Sequence, residues 1–167
     1  MDRLKAAGLA SVGVGKIGDI FAGQGLTETF PVKGNAACQR ELARLLSEGS
    51  RTGLLFVNLV DFDMLYGHRN DGPGFKRTLE EFDRFLDSLV TQASSDTLFI
   101  ITADHGCDPY FPGTDHTREY VPLLAWHRSG KCHNLGIRNT FCDVAATISE
   151  VFHLAQPTAG RSFLQEI

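Results

Sequence analysis

The sequence predicts an α/β fold, a small and mostly parallel sheet flanked by helices, and three observations predict it. Strand and helix signals alternate along the chain. Residues 52–62, TGLLFVNLVDF, are almost continuously apolar, as a parallel strand covered on both faces requires. Residues 74–93 set Phe75, Leu79, Phe82, Leu86 and Leu89 on one stripe with charges opposite, the period of an amphipathic helix.

The remaining elements follow in chain order. GLASVGVG, residues 8–15, is a short apolar run closed by glycine and reads as a strand. The glycine-dense stretch that follows, KIGDIFAGQGLTETFPVKG, is too irregular to assign and reads as a surface connection. NAACQRELARLLSEG, residues 35–49, reads as a helix with Asn35 as its N-cap and Gly49 as its stop. After the strand at 52–62 and the helix at 74–93 come two further strands, DTLFIITAD at 96–104 and YVPLLAWH at 120–127. TFCDVAATISEVFHL, residues 140–154, is a last helix with Thr140 as its cap. Four strands and three helices make an open sheet, and ligands of such sheets sit beyond the carboxyl ends of the strands.

Composition narrows the function classes. With 167 residues, 43% of them hydrophobic, the chain fits one domain with one core. A net charge of -4, a pI near 5.8 and no basic run leave no electrostatic footprint for nucleic acid or for an anionic membrane. The N-terminus lacks a long apolar segment and no window approaches a membrane span, so the cytoplasm is the expected compartment. Cys38, Cys107, Cys132 and Cys142 form no C-x-x-C pair and read as reduced thiols.

Two clusters of ligand-capable residues fall at strand ends. In NLVDFDMLYGHRND, Asp61 and Asp63 are two apart and point to the same side if the strand continues; Gly67 lets the chain fold His68 back toward them. In TADHGCDPYFPGTDHTRE, Asp104 and His105 leave a strand end directly. Pro109, Pro112 and Gly113 shape a stiff loop that returns His116, or alternatively Asp115, to the same rim. Any one of these histidines alone reads equally well as a solvated loop residue. Several carboxylates gathered without a cation would repel one another or take up protons, so a metal is the simplest way to hold the group together. Carboxylate and imidazole without thiolate suit Mn²⁺, Fe²⁺, Zn²⁺ or Mg²⁺.

The same segments carry a resemblance. GKIGDIFAGQGLTETF, NLVDFDMLYGHRND, TADHGCDPYFPGTDHTREYVPLLAW, LGIRNTFCDVAATISEVF and GRSFL resemble the phosphopentomutases of the alkaline phosphatase superfamily, in order, from Gly8 nearly to the last residue. TADHG is shared across that superfamily, including cofactor-independent phosphoglycerate mutases, whereas VDFD and YGHR joined to GTDHTRE point to the pentose enzymes. The resemblance implies an alkaline-phosphatase-like core. It also implies transfer of a phosphoryl group between C1 and C5 of ribose or 2-deoxyribose phosphate, in nucleoside catabolism, through a phosphorylated threonine at two Mn²⁺ ions. By the family's motifs Asp63, His68 and His116 would hold one Mn²⁺ and Asp104 and His105 would contribute to the other, leaving Asp61 a supporting residue. Lys16 would meet a distal phosphate, and Arg118 would neutralise a phosphate oxygen.

The family's nucleophilic threonine, a further aspartate ligand and its cap domain are expected outside these residues. Residues 1–167 then read as the C-terminal part of the core domain, inactive by itself, with the missing N-terminal half as a partner. Met1 is open to three readings: an internal methionine, a misplaced start, or a product of gene decay. Two alternatives stand beside this one: another metallophosphoesterase or phosphoglycerate mutase of the superfamily, and a non-catalytic metal-binding remnant.

Overall fold

A computed structural model describes residues 1–130, 133–157 and 159–167. Its regular elements are α1 (Asp2–Ala6), β1 (Ala10–Val14), α2 (Ile17–Ile20), β2 (Glu28–Phe30), α3 (Asn35–Glu48), β3 (Gly53–Val57), α4 (Gly72–Gln92), β4 (Phe99–Thr102), β5 (Leu123–Trp126) and α5 (Cys142–Val151). A π-helical turn over Phe62–Tyr66 and a 3-10 turn over Gly67–Arg69 connect β3 to α4. Strands β2, β1 and β3 form a parallel sheet with β1 in the middle, and β4 pairs antiparallel with β5. The α/β class is as expected.

The core is built on the central strand. Val12 and Val14 pack against Cys38 and Leu45 of α3, with Phe30, Leu55, Val57 and Leu59 closing the edges. On the opposite face of β1 stands Gly13, where an added Cβ would lie 2.9 Å from the Ile17 side chain; the missing methyl lets α2 pack directly on the strand.

Several expected elements are corrected. The connection after residue 15 contains both α2 and β2. The strand expected over 52–62 stops at Val57, because the apolar run continues into the π-helical turn and an apolar run alone cannot separate strand from helix. Nor is β3 covered on both faces: it is an edge of its sheet, and Phe56 is exposed. In α4, Leu89 is buried as the stripe requires, but Leu79 is 48% exposed, since the helix turns Gly74 and Thr78 inward at that level instead. Asp71 caps that helix by accepting the Gly74 N–H at 2.9 Å.

The capping of α3 also differs from expectation. Gly34 occupies the N-cap position and Asn35 is the first helical residue. The missing cap comes from across the fold: the Asn35 N–H donates to Asp61 Oδ2 at 2.7 Å, and the Asp61 N–H donates to Asn35 Oδ1 at 3.0 Å. Gly49 ends the helix in the left-handed region at φ 61°, as expected.

At the other end of the chain the N-cap of α5 is Phe141, one residue after the expected Thr140, whose Oγ1 accepts the Cys142 N–H at 3.2 Å from just before the cap. The C-terminal GRSFL segment folds back on α5, where Phe163 is buried and its N–H donates to Thr147 Oγ1 at 3.0 Å. No helix among the described residues is long and apolar enough to cross a membrane. Cys38, Cys107 and Cys142 are free thiols, and Cys132 lies outside the described residues.

Candidate metal centre

Parallel strands deliver their carboxyl ends to one rim. β1 therefore places Lys16, and β3 the segment from Asn58 onward, on the same side of the sheet. Lys16 Nζ accordingly reaches Met64 Sδ at 3.0 Å. The π-helical turn, a rare form frequent at functional sites, carries Asp63, and the 3-10 turn brings His68 back onto it. Gly67 makes this return possible, because it packs against Cys107 so tightly that an added Cβ would sit 2.3 Å from the sulfur.

The second segment enters from β4. Thr102 pairs with Leu123 of β5, so residues 103–122 form a loop off that end. A single bridge between Gly106 and Thr117, with the Thr117 N–H donating to Gly106 O at 3.0 Å, folds the loop on itself. Thr117 Oγ1 also accepts the Asp108 N–H at 2.8 Å. These contacts carry His116 back beside His105, whose rings stack with centroids 3.5 Å apart.

Three ligand atoms, one each from Asp63, His68 and His116, lie within 4.8 Å of one another. His68 Nε2 is 3.1 Å and His116 Nε2 3.4 Å from the same oxygen, Asp63 Oδ1. The other nitrogen of His68, Nδ1, contacts the carbonyl of Thr114. A carbonyl can only accept, so Nδ1 carries the proton and, in the neutral ring, Nε2 presents a lone pair to Asp63. Asp63 Oδ1 is itself shut away from solvent without a hydrogen-bond partner. Acceptor therefore faces acceptor, an arrangement that a cation between them satisfies.

The other expected residues are placed less closely. Asp104 is 80% exposed, with Oδ2 3.6 Å from His105 Nε2, and His105 Nδ1 lies 3.1 Å from Gly106 O. Neither Asp104 nor His105 joins the three-atom group, although the stacking keeps His105 against it. Asp115 stands exposed on the loop outside the group, and Asp61 is taken up by the cap of α3. Arg118 is exposed. Sequence reasoning missed the backbone of Thr114, which orients His68, and Cys107, whose place directly after the D-H-G turn was the signal available.

The family profile of the Metalloenzyme superfamily matches residues 3–156. Phosphopentomutases from Caldanaerobacter subterraneus subsp. tengcongensis and Carboxydothermus hydrogenoformans are 49% and 52% identical over 100% of this chain, which covers 42% and 43% of theirs. Another from Syntrophotalea carbinolica is 50% identical, again over 42% of its length. This chain thus spans about two fifths of the curated relatives it matches. The solved structure of the PH0037 protein from Pyrococcus horikoshii superposes with a TM-score of 0.65 over 94% of this chain and 53% of that one; at 14% identity the likeness concerns the fold alone.

Proposed function

The chain belongs to the Metalloenzyme superfamily, and we propose that it forms the C-terminal part of the core of a phosphopentomutase-like enzyme. The reaction is phosphoryl transfer between C1 and C5 of ribose or 2-deoxyribose phosphate. In this reading Asp63, His68 and His116 hold one Mn²⁺, and Asp104 and His105 contribute to a second. One carboxylate oxygen with two imidazoles suits Mn²⁺ and leaves coordination positions open. Divalent ions bound there supply positive charge to the transferring phosphoryl group and to its attacking and leaving oxygens.

The protein's own part is positional. The Thr114 carbonyl fixes which nitrogen of His68 faces the ion, and the Gly106–Thr117 bridge fixes His116. Lys16, on the same rim, meets a distal phosphate of the sugar, and Arg118, exposed on the loop, adds a cation for a phosphate oxygen. The nucleophilic threonine and the sugar-recognising cap belong, on the family resemblance, to the three fifths of the relatives that this chain does not match.

The observation that carries the proposal is the convergence of two imidazole nitrogens on one buried, unpartnered oxygen of Asp63. Its test is a chimera in which this chain replaces the matching part of the Caldanaerobacter relative. With Mn²⁺ it should interconvert ribose 1-phosphate and ribose 5-phosphate, and Asp63→Ala or His116→Ala should abolish that turnover. A folded, Mn²⁺-binding chimera that leaves both sugars unchanged would overturn the proposed reaction.

A further inference from the structure

The loop over residues 103–122 has two limbs, one leaving β4 with His105 and one returning with His116, and Thr117 ties them together. Its N–H donates to Gly106 O at 3.0 Å, and its Oγ1 accepts the Asp108 N–H at 2.8 Å. The hydroxyl proton is left to donate, and it goes to Glu119 Oε2 at 2.6 Å, a carboxylate oxygen that only accepts. Gly106 admits this arrangement, because an added Cβ would collide with Glu119 Oε2 and lie 2.8 Å from Thr117 O. Asp108 extends the tie. Its Oδ1 accepts the Tyr110 N–H at 2.8 Å, and the Tyr110 ring lies against Gly72, the first residue of α4, just beyond the turn that carries His68. A chain of contacts therefore runs from the neighbour of His116 to the segment that holds His68.

Resting on the metal reading above, we propose that Thr117 is a positioning residue: its hydroxyl, joined to the Asp108 backbone and the Glu119 carboxylate, holds His116 over the Asp63 oxygen. A ligating imidazole is ordinarily aimed by a hydrogen bond to its other nitrogen, as the Thr114 carbonyl aims His68. The ring of His116 is 48% exposed, and among the described residues no such hydrogen bond reaches it. Its place is set instead by the stack on His105 and by the backbone it shares with Thr117. Thr117 is not one of the three converging ligands, and its role requires no contact with substrate.

Mn²⁺ titration calorimetry on the full chain tests this, with urea unfolding and proton NMR of the histidine rings measured on the metal-free protein. Thr117→Val keeps the bulk and removes both hydrogen bonds of the hydroxyl. It should weaken Mn²⁺ binding by about tenfold or more, the usual loss when a group that orients a ligand is removed. The His105 and His116 ring signals should also leave the positions that stacking gives them. Thr117→Ser, which keeps the hydroxyl, should retain the wild-type affinity and ring signals. A purely packing role predicts the reverse order, valine binding better than serine. That order overturns the inference, as does wild-type affinity or an unmoved ring signal in a folded Thr117→Val. If valine proves too unstable to measure, Glu119→Ala decides, since it removes the hydroxyl's acceptor from an exposed position. It should weaken Mn²⁺ binding by about fivefold, the worth of one hydrogen bond, and unchanged affinity there overturns the inference. Failure of the wild type itself to bind Mn²⁺ overturns the metal reading, and this inference with it.

Discussion

Asp61 and Asp63 stand two residues apart and face different partners, Asn35 for the one and His68 and His116 for the other. Asp61 gives its carboxylate to the first N–H of α3, so Asp61→Ala removes a cap and leaves the buried Asn35 partly unpaired. A loss of about 2 kcal/mol in urea unfolding is the expected outcome. Asp63→Ala should cost much less stability in the metal-free chain and abolish Mn²⁺ binding. Cys38 supplies a pH dependence: burial, followed by the charge of Asp61, raises its thiol above the ordinary value of 9.0. The folded chain therefore holds that proton more tightly than the unfolded one. Its contribution is intact below pH 9 and is lost as pH rises through the elevated folded value. Urea midpoints of wild type and Cys38→Ala should draw together as pH rises above 9.0, and a constant gap would refute the linkage. The clusters containing these residues were legible in the sequence, because charged groups at the ends of apolar runs need an explanation. The choice between Asp61 and Asp63 was not legible from spacing: it depended on a strand that ends at Val57 and on a hydrogen bond to a residue 26 positions away.

Among the elements, α4 was the clearest from sequence and still misled at one position. Leu79 has the right period for the stripe, but the segment below it buries Gly74 and Thr78, and tertiary packing overrides the pattern. Leu89→Ala should accordingly cost about 2–4 kcal/mol, and Leu79→Ala no more than about 0.5 kcal/mol. Equal losses in denaturant would show that the stripe is buried as a whole. β2 escaped sequence reading for a different reason: three residues between glycine-rich segments are too few to display alternation, and their place is fixed by pairing with β1. Arg51 then ties this short strand to the end of α3 through Glu28 and Glu48, a constraint that exists only once both are folded.

At the scale of the whole molecule, the described residues form two sheets whose site loops meet, while Phe21, Phe56, Met64 and Leu65 remain exposed around β3 and the turn after it. On the proposal that the chain is part of a longer core, these apolar side chains face the remainder of the relatives' length. The isolated chain should then bind an apolar fluorescent dye, and the chimera described above should not. Equal dye binding by both would argue against that placement. The central claim, however, is the metal centre, and anomalous scattering from crystals grown with Mn²⁺ tests it most directly. The account predicts one strong peak in contact with Asp63 Oδ1, His68 Nε2 and His116 Nε2, and a weaker one, or none, at Asp104 and His105. A chain that crystallises in this fold with no peak at the three converging atoms, or with its strongest peak at Asp104, would contradict it.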